Sequence, residues 1–328
     1  YVIELDDEVV RTRDNGLMIS LEVTGIDGIT SGSSAITALR AGFAHLLDTL
    51  DERFSFYLHR MMRPAQAQLK PIHGQSFAAD IDRAWNTELQ RRNLQESVLI
   101  LSVVWRQVAP LAVPLFGKAA AKVWGEDTDR RLEELREVVS ILETGLGVKS
   151  HRLKISDGSL IGFYASLLTG ELRSKPRSPF GIIAEDASDA AIRFGKGQFA
   201  VEEGADTPRV GAVLYVKSYA TSTWPGMLDA LGASRNTIIT HSYTPIERGS
   251  ITERVKRRVA QMRASEDIAA TIEAQLFEAA DKSESGELGF GIHQMTITVF
   301  AEDQVALDTE VARIRGIAHQ NGMRLVRE

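Results

Sequence analysis

No cysteine occurs among the 328 residues of this chain. Disulfide bonds, thiolate metal sites and cysteine nucleophiles are therefore excluded, and the composition fits a reducing compartment. The seven histidines include no His-Glu-x-x-His pair of the kind that binds catalytic zinc. His59, His241 and His293 lie on or next to predicted strands, and we interpret them as packed or solvated side chains.

The motifs that bind nucleotides are missing as well. A phosphate-binding loop needs G-x-x-x-x-G-K-[ST], whose backbone amides cradle the phosphates. Gly117-Lys118 lacks the leading glycine and the Ser/Thr, and a hairpin turn explains Gly195-Lys196-Gly197 better. No G-x-G-x-x-G follows a predicted strand, and no serine lies in a G-x-S-x-G elbow. The sequence therefore offers no motif of a self-contained nucleotide-binding enzyme or serine hydrolase.

Long apolar runs are also absent. The most apolar window, from Val98 to Val123, is interrupted by charged residues and prolines, so it does not predict a helix that spans a membrane. We expect its first part to be a buried strand and residues 108–124 to contact a partner or a membrane surface. No signal peptide is visible, and the chain opens on Tyr1 rather than methionine, so we expect the true start to lie upstream.

An excess of positive charge is lacking too. The 44 acidic and 38 basic residues give a net charge of −6. This balance argues against a general nucleic-acid binder, although a local basic face is compatible with it.

Two hydrophobic periodicities alternate along the first half of the chain. A period of two predicts half-buried strands, and a spacing of three to four predicts amphipathic helices. The predicted elements are a hairpin over 9–24 with its turn at 14–16, a helix capped by Ser33 or Ser34, a strand over 54–59, a helix capped by Ser76 with Phe77, Ile81, Trp85 and Leu89 on one side, a strand over 98–105, a helix opened by Asp127 or Thr128, and a strand over 148–155.

The same order returns after a connecting region with a helix over 160–168, a linker over 174–179 and a small hairpin over 192–201. The second set comprises a strand over 210–217, a short helix capped by Thr223, a strand over 238–243, a helix opened by a Ser250–Glu253 capping box, a helix with Ile268, Ile272 and Leu276, a strand from Met295, a helix from Leu307 to Ala318 and a strand from Met323.

Both halves therefore run strand, helix, strand, helical insert, strand, helix, strand. We interpret this as an α+β fold of two related βαββαβ-like (ferredoxin-like) lobes, with mixed or antiparallel sheets and helices packed on them. Chance recurrence of a common element order is the alternative, because no alignable repeat is visible. The predicted division is an amino-terminal lobe over 1–155, a connecting region over 156–208 and a second lobe over 209–328.

Basic and aromatic residues indicate where partners dock. The predicted helix that contains Arg254, Arg257 and Arg258 also has an uninterrupted apolar stripe, so its basic residues lie on the sides that face solvent. These charges form either a solvated face or a docking surface for an acidic partner, anionic lipid or nucleic acid. Trp224 is an aromatic residue at a predicted helix start, which we interpret first as core packing and second as a partner anchor. The candidate docking residues are Arg60, Arg63, Lys118, Lys122, Trp224, Arg254, Arg257 and Arg258. No residue is a candidate for catalysis, cofactor binding or metal binding.

The order of several short motifs resembles a known family. They are Asp14-Asn15-Gly16-Leu17 with Val23-x-Gly25, Leu58-His59-Arg60, Thr223-Trp224-Pro225-Gly226-Met227-Leu228 within 218–231, His241-Ser242-Tyr243 with Gln261-Met262 and Glu266-Asp267, Gly289-Phe290-Gly291-Ile292-His293, and the closing strand–helix–Gly322–strand. In this order they are similar to the amino-terminal domain of the large ATPase of type IV secretion and conjugation systems, the CagE/TrbE/VirB family.

The resemblance implies a bacterial assembly domain. It would dock the ATPase on the cytoplasmic face of the inner membrane against small membrane subunits of the secretion channel, contact other ATPases of the system, and support homo-oligomer formation. ATP and Mg are implied for the full-length protein only, through a motor domain downstream of this chain, and no cofactor is implied within it. The alternative is a ferredoxin-like nucleic-acid-binding module, which needs exposed aromatics and a basic sheet face. The predicted strands are mainly aliphatic, so direct nucleic-acid binding is not expected.

Overall fold

The computed structural model of the chain describes residues 3–26, 30–64, 76–92, 94–106, 118–145, 147, 149–179, 181–202, 208–233, 236–264 and 270–328. For 118–126, 233, 270 and 271 it describes the backbone alone. The expected contact of residues 108–124 with a partner or membrane surface therefore falls outside the described side chains.

Twelve strands and eight α-helices lie in the described residues. The strands are β1 (Ile3–Glu4), β2 (Val9–Arg11), β3 (Leu17–Val23), β4 (Phe54–Pro64), β5 (Gln95–Trp105), β6 (Ser150–Arg152), β7 (Ala191–Gly195), β8 (Gln198–Glu202), β9 (Arg209–Ser218), β10 (Thr237–Pro245), β11 (Gly291–Ala301) and β12 (Arg324–Arg327). The helices are α1 (Ser33–Asp48), α2 (Phe77–Arg91), α3 (Lys118–Gly145), α4 (Ser159–Thr169), α5 (Ile183–Ala187), α6 (Arg248–Ala264), α7 (Ala270–Glu284) and α8 (Gln304–Gln320), with a short 3-10 helix at Leu231–Ala233.

The strands form one antiparallel sheet, which confirms the predicted α+β class. Its order is β1-β2-β3-β5-β4-β10-β11-β9-β8-β7, with β6 paired to β3 and β12 paired to β9. The first half pairs β3 with β5, β5 with β4 and β6 with β3; the second half pairs β9 with β11, β11 with β10 and β12 with β9. The pairing pattern therefore repeats, and the two halves meet where β4 pairs with β10.

Turn and cap residues explain where several elements begin and end. Asn15 has a φ of 63°, which Asn tolerates better than most residues, and it forms the predicted turn between β2 and β3. The Ser76 side chain accepts a hydrogen bond from the Ala79 amide and caps α2 as predicted. Asp303 caps α8 in the same way, and Gly322, at a φ of 74°, follows its end.

Four predicted starts of helices are wrong, and each error has a local cause. Helix α1 is capped by the backbone at Gly32, without a serine side chain. Helix α3 begins at Lys118, before the predicted Asp127, because good helix formers extend it upstream. Helix α6 begins at Arg248, so Ser250 lies inside it and donates to the Glu247 carbonyl instead of capping. Thr223 starts no α-helix, and only turns precede the 3-10 helix, because glycine and proline interrupt the pattern there.

Apolar cores lie on both faces of the sheet. On one face, α3 and α1 cover β3 and β5, and α8 covers β9 and β11; these clusters include Leu135, Val139, Ile297 and Ile314. On the other face, α4 packs across both halves and contacts a cluster from Met61 to Phe300. Residues 156–169 are therefore central to the core, a role that their classification as a connecting region did not predict.

We expect Ile297→Asp to destabilise the fold strongly. Ile297 is fully buried between β10 and β9 under α8, so the substitution places a carboxylate without a partner in the core, at a cost of several kcal/mol. Thr298 on the opposite face is only half-buried, so Thr298→Asp should cost less. Urea unfolding of the two variants gives the comparison. Equal, small losses of unfolding free energy would contradict burial of Ile297.

Candidate docking surfaces

Two helical insertions extend from the sheet at equivalent places in its two halves. Helix α2 connects β4 to β5, and the pair α6 and α7 connects β10 to β11. Because β4 and β10 are antiparallel neighbours, the end of β4 lies beside the start of β10. The two insertions therefore leave from opposite ends of the sheet.

Helices α6 and α7 form a hairpin that buries its own apolar stripe. Ile251, Val255 and Val259, spaced by four residues, are 2–8% exposed. They pack against α7, whose contribution includes Leu276, Phe277 and Ala280. The i, i+4, i+8 spacing puts all three α6 residues on one face, so the opposite face is left to charged side chains.

The basic residues of α6 have two different environments. Arg254 forms an ion pair with Glu52 at 2.9 Å, and Arg248 forms one with Asp48 at 3.1 Å, so these two tie the hairpin to the end of α1 and the loop that follows it. Arg257 pairs with Glu253 at 3.2 Å on an exposed surface, which adds little stability. Lys256 and Arg258 are exposed. We call Lys256, Arg257 and Arg258 the basic face of α6; they spread over about 200° of its outward side, and Glu253 partly compensates the charge of Arg257.

Arg60 and Arg63, on β4, are engaged within the chain. Arg60 donates to Ser97 at 3.2 Å and lies 3.6 Å from an Asp229 carboxylate oxygen. A Cβ atom on Gly232 would come within 2.7 Å of its guanidinium, so Arg60 packs closely on the 3-10 helix. Arg63 forms ion pairs with Glu96 and with Glu22. Their positive charges are thus partly compensated within the fold.

The remaining candidates lie apart from α6. Trp224 is 51% exposed in the turns before the 3-10 helix, whereas Met227 and Leu231 from the same segment are buried. Core packing of Trp224, which we considered from the sequence, is therefore wrong. Lys118 and Lys122 lie in the first turns of α3, where the backbone alone is described. The structure thus does not gather the eight candidates into one site, and their docking role stays a prediction.

Helix α2 exposes most of the stripe that the sequence predicted on one of its sides. Phe77 is 80% exposed, and Ile81 and Trp85 are 53% exposed. Ala79 is its buried residue, with Leu89 half-buried. Sequence periodicity identifies an apolar face but not the surface that covers it, so this docking candidate was missed. The sequence did carry a signal for it, because Phe77 and Trp85 lie two turns apart on one side of the helix and aromatic residues are enriched at protein interfaces.

Three histidines lie on neighbouring central strands, with His59 on the face that α4 covers and His241 and His293 together on the other face. The His59 Nδ1 atom lies 3.0 Å from the Thr240 hydroxyl, and its ring contacts Phe163 edge-on at 5.2 Å. His241 and His293 are stacked, with Nδ1 and Nε2 3.2 Å apart. Burial, with a smaller effect of the neighbouring histidine, lowers the pKa of His59 and of His241 to about 4. In the described part of the chain, no three His, Asp or Glu side chains converge as a metal site would require.

None of the described helices is both long enough and apolar enough to pass through a lipid bilayer.

The buried His59 predicts a loss of stability at acidic pH. Its lowered pKa means that the unfolded chain binds the proton more readily, so stabilisation is complete above pH 6.5 and decreases as the pH falls towards 4. Between about pH 7.5 and about pH 5, His59 should account for a loss of about 2 kcal/mol. Urea unfolding at both pH values should show a smaller loss for His59→Gln than for the wild type. His45→Gln, at an exposed position of α1, is the control, and an identical loss in all three proteins would contradict a neutral, buried His59.

Two family profiles match the chain. One, described as the CagE, TrbE, VirB family, component of type IV transporter system, matches residues 148–328. The other, described as the N-terminal domain of the type IV secretion system ATPase VirB4/TrbE, matches residues 8–111.

Curated relatives align with nearly the whole chain. The type IV secretion system protein virB4 of Bartonella henselae is 23% identical over 341 residues, which cover 100% of this chain and 43% of the relative. Protein virB4 of Rhizobium radiobacter is 27% identical over 346 residues, with the same coverage. The virB4 protein of Brucella suis is 22% identical over 332 residues, covering 95% of this chain and 40% of the relative. The chain therefore spans about two fifths of the length of these relatives.

Proposed function

Because this chain belongs to the CagE, TrbE, VirB family of type IV transporter components, within the VirB4/TrbE type IV secretion ATPases, we propose that it is the region through which such an ATPase docks on its partners and assembles. It lies on the cytoplasmic side of the inner membrane, against small membrane subunits of the secretion channel. The observation that carries the proposal is the pair of outward helical surfaces, the basic face of α6 and the apolar face of α2, on a sheet whose own faces are covered.

The basic face of α6 is the proposed contact with anionic headgroups of the membrane. Lys256, Arg257 and Arg258 are exposed on three consecutive positions, while Arg248 and Arg254 hold the hairpin in place. Basic side chains close to a membrane surface gain roughly 1 kcal/mol each from the negative potential of its lipids. Three such residues give useful membrane affinity without a spanning helix.

We also propose that the repeated strand pairing reflects two related, ferredoxin-like lobes over 1–155 and 209–328, with 156–208 between them. The element orders β3-α1-β4-α2-β5-α3-β6 and β9-β10-α6-α7-β11-α8-β12 support this division, although turns and the 3-10 helix stand in the second half where α1 stands in the first. Homo-oligomer formation and contact with other ATPases of the system belong to the same proposal. The exposed Phe194 on the edge strand β7 supports self-association, since an edge strand offers unpaired backbone groups.

The alternative, a nucleic-acid-binding module, has less support. Such a sheet reads bases with exposed aromatics on its central strands. Here β5 and β11 are covered by helix α4 on one side and by α3 or α8 on the other.

Charge reversal on α6 tests the docking proposal. We expect Lys256→Glu, Arg257→Glu and Arg258→Glu together to reduce co-sedimentation with vesicles that contain anionic lipid and the membrane subunits by tenfold or more, since about 3 kcal/mol of attraction is lost. The matched control reverses three scattered, exposed arginines, Arg13, Arg40 and Arg193. Equal binding of both triple variants would overturn a role for this face.

ATP hydrolysis is proposed for the full-length protein and for no residue of this chain. The sequence lacks the phosphate-binding loop that would hold the nucleotide and its Mg, so the residues present do not fit that group. We expect the purified chain to show no steady-state ATP turnover above background, in an assay where a full-length relative is active. Turnover comparable to the relative would contradict this assignment.

A further inference from the structure

The two insertions of the sheet differ in whether the apolar stripe of their first helix is covered. In α6 the residues at i, i+4 and i+8, Ile251, Val255 and Val259, are covered by α7. In α2 the residues at the same spacing, Phe77, Ile81 and Trp85, face solvent. Among the described residues, one helix, α2, lies between β4 and β5, whereas two helices, α6 and α7, lie between β10 and β11.

Exposure of this stripe leaves α2 with little tertiary support. Helices of about 12–15 residues are marginal in water on their own, and most helical stability in proteins comes from packing of the apolar face. Helix α2 has 15 residues, and its packing on the rest of the chain relies on Ala79 and its half-buried neighbours. Cover over Phe77, Ile81 and Trp85 would therefore stabilise the helix and bury three large anchors together.

The charges on α2 favour a protein over a lipid surface. Asp80, Asp82 and Glu88 balance Arg83, Arg91 and Arg92, so residues 76–92 carry no net charge. Helices that bind membranes in the interfacial plane are rich in Lys and Arg on the polar face, whereas the arginines of residues 76–92 are balanced by an equal number of acidic residues.

The α6–α7 hairpin supplies the chemistry of the occupant. Its α7 covers an equally spaced stripe with Leu276, Phe277 and Ala280, that is, with one apolar face of one helix. We propose that Phe77, Ile81 and Trp85 form a docking site for one amphipathic helix of another protein, which lies on α2 as α7 lies on α6. The identity of the partner as a membrane subunit of the secretion channel rests on the proposed function.

The absence of cysteine permits a direct test, because one introduced thiol is unique. Ile81→Cys places a benzophenone label on the stripe. Gln90→Cys places the same label on the opposite side of α2, since nine residues at 100° each turn the helix by 180°. Each labelled chain is irradiated with each small membrane subunit in phosphatidylcholine nanodiscs, and with empty nanodiscs. We expect an adduct with one subunit from position 81, mapped by mass spectrometry to one helical face, and none above background from position 90.

Affinity provides the second measurement. Ile81→Lys should weaken binding to that subunit by about tenfold or more, because a buried anchor is lost. Its melting temperature should match the wild type, since residue 81 is exposed, whereas Val255→Lys should lower the melting temperature clearly. This contrast separates a binding defect from a folding defect.

The outcomes distinguish the two proposals. Adducts from position 81 that join only lipid, a second copy of this chain or the chain's own residues would overturn the helix-docking inference, as would equal labelling from positions 81 and 90. If the chain binds nanodiscs that contain a subunit but position 81 captures nothing, the docking function stands and this inference fails. If the chain binds no subunit at all, the proposed function fails for these partners, and the absence of an adduct overturns the inference with it.

Discussion

Pairing between β4 and β10 is the constraint on which the rest of the structure depends. Five residue pairs, centred on Leu58 and His241, join the two halves into one sheet. Side chains support the junction, with hydroxyls of Ser55 and Thr244 2.7 Å apart and His59 beside Thr240. Once the halves share a sheet, α4 gains a continuous apolar surface to cover, and its burial across the junction makes separation of the halves costly. The pH dependence expected from His59 arises at this same junction.

Local signals in the sequence predicted most element types because their causes are local. The turn at Asn15, the Ser76 cap and the stop at Gly322 each depend on a few neighbouring residues. The β4–β10 pairing joins residues about 180 positions apart, as His59 and Thr240 are, and no short pattern encodes such a contact. The central place of α4 follows from that pairing, so it was out of reach for the same reason.

The sequence shows where charged residues occur, but it does not show which of them are paired within the fold and which face solvent. Arg254 and Arg258 look alike in the sequence of one helix, yet the first is held by Glu52 and the second points outward. Arg131 is the extreme case: it is 1% exposed, pairs with Asp127 at 2.9 Å and lies over the Trp105 ring. Burial of a guanidinium requires such partners, so Arg131 fixes α3 to β5 rather than meeting a ligand. The candidate site could therefore be predicted as a set of charges but not divided into structural and outward residues.

The sheet joins the two insertions, α2 and the α6–α7 hairpin, so that contacts made at one affect the orientation of the other. Strand β4 has 11 residues, so its end, which leads to α2, and its start, near the Arg254–Glu52 ion pair of the α6–α7 hairpin, are separated by about 35 Å along the strand direction. An antiparallel sheet with helices on both faces transmits orientation over that distance, because packed interiors are stiff. A charged surface bound to α6 would hold one point of this body, and a helix bound to α2 would hold a second once it supplies the packing that α2 lacks within the chain. Two separated contacts restrict the tilt of the sheet as well as its position, whereas a single contact restricts only the position. A sheet held in this way would also set the orientation of a domain joined to it.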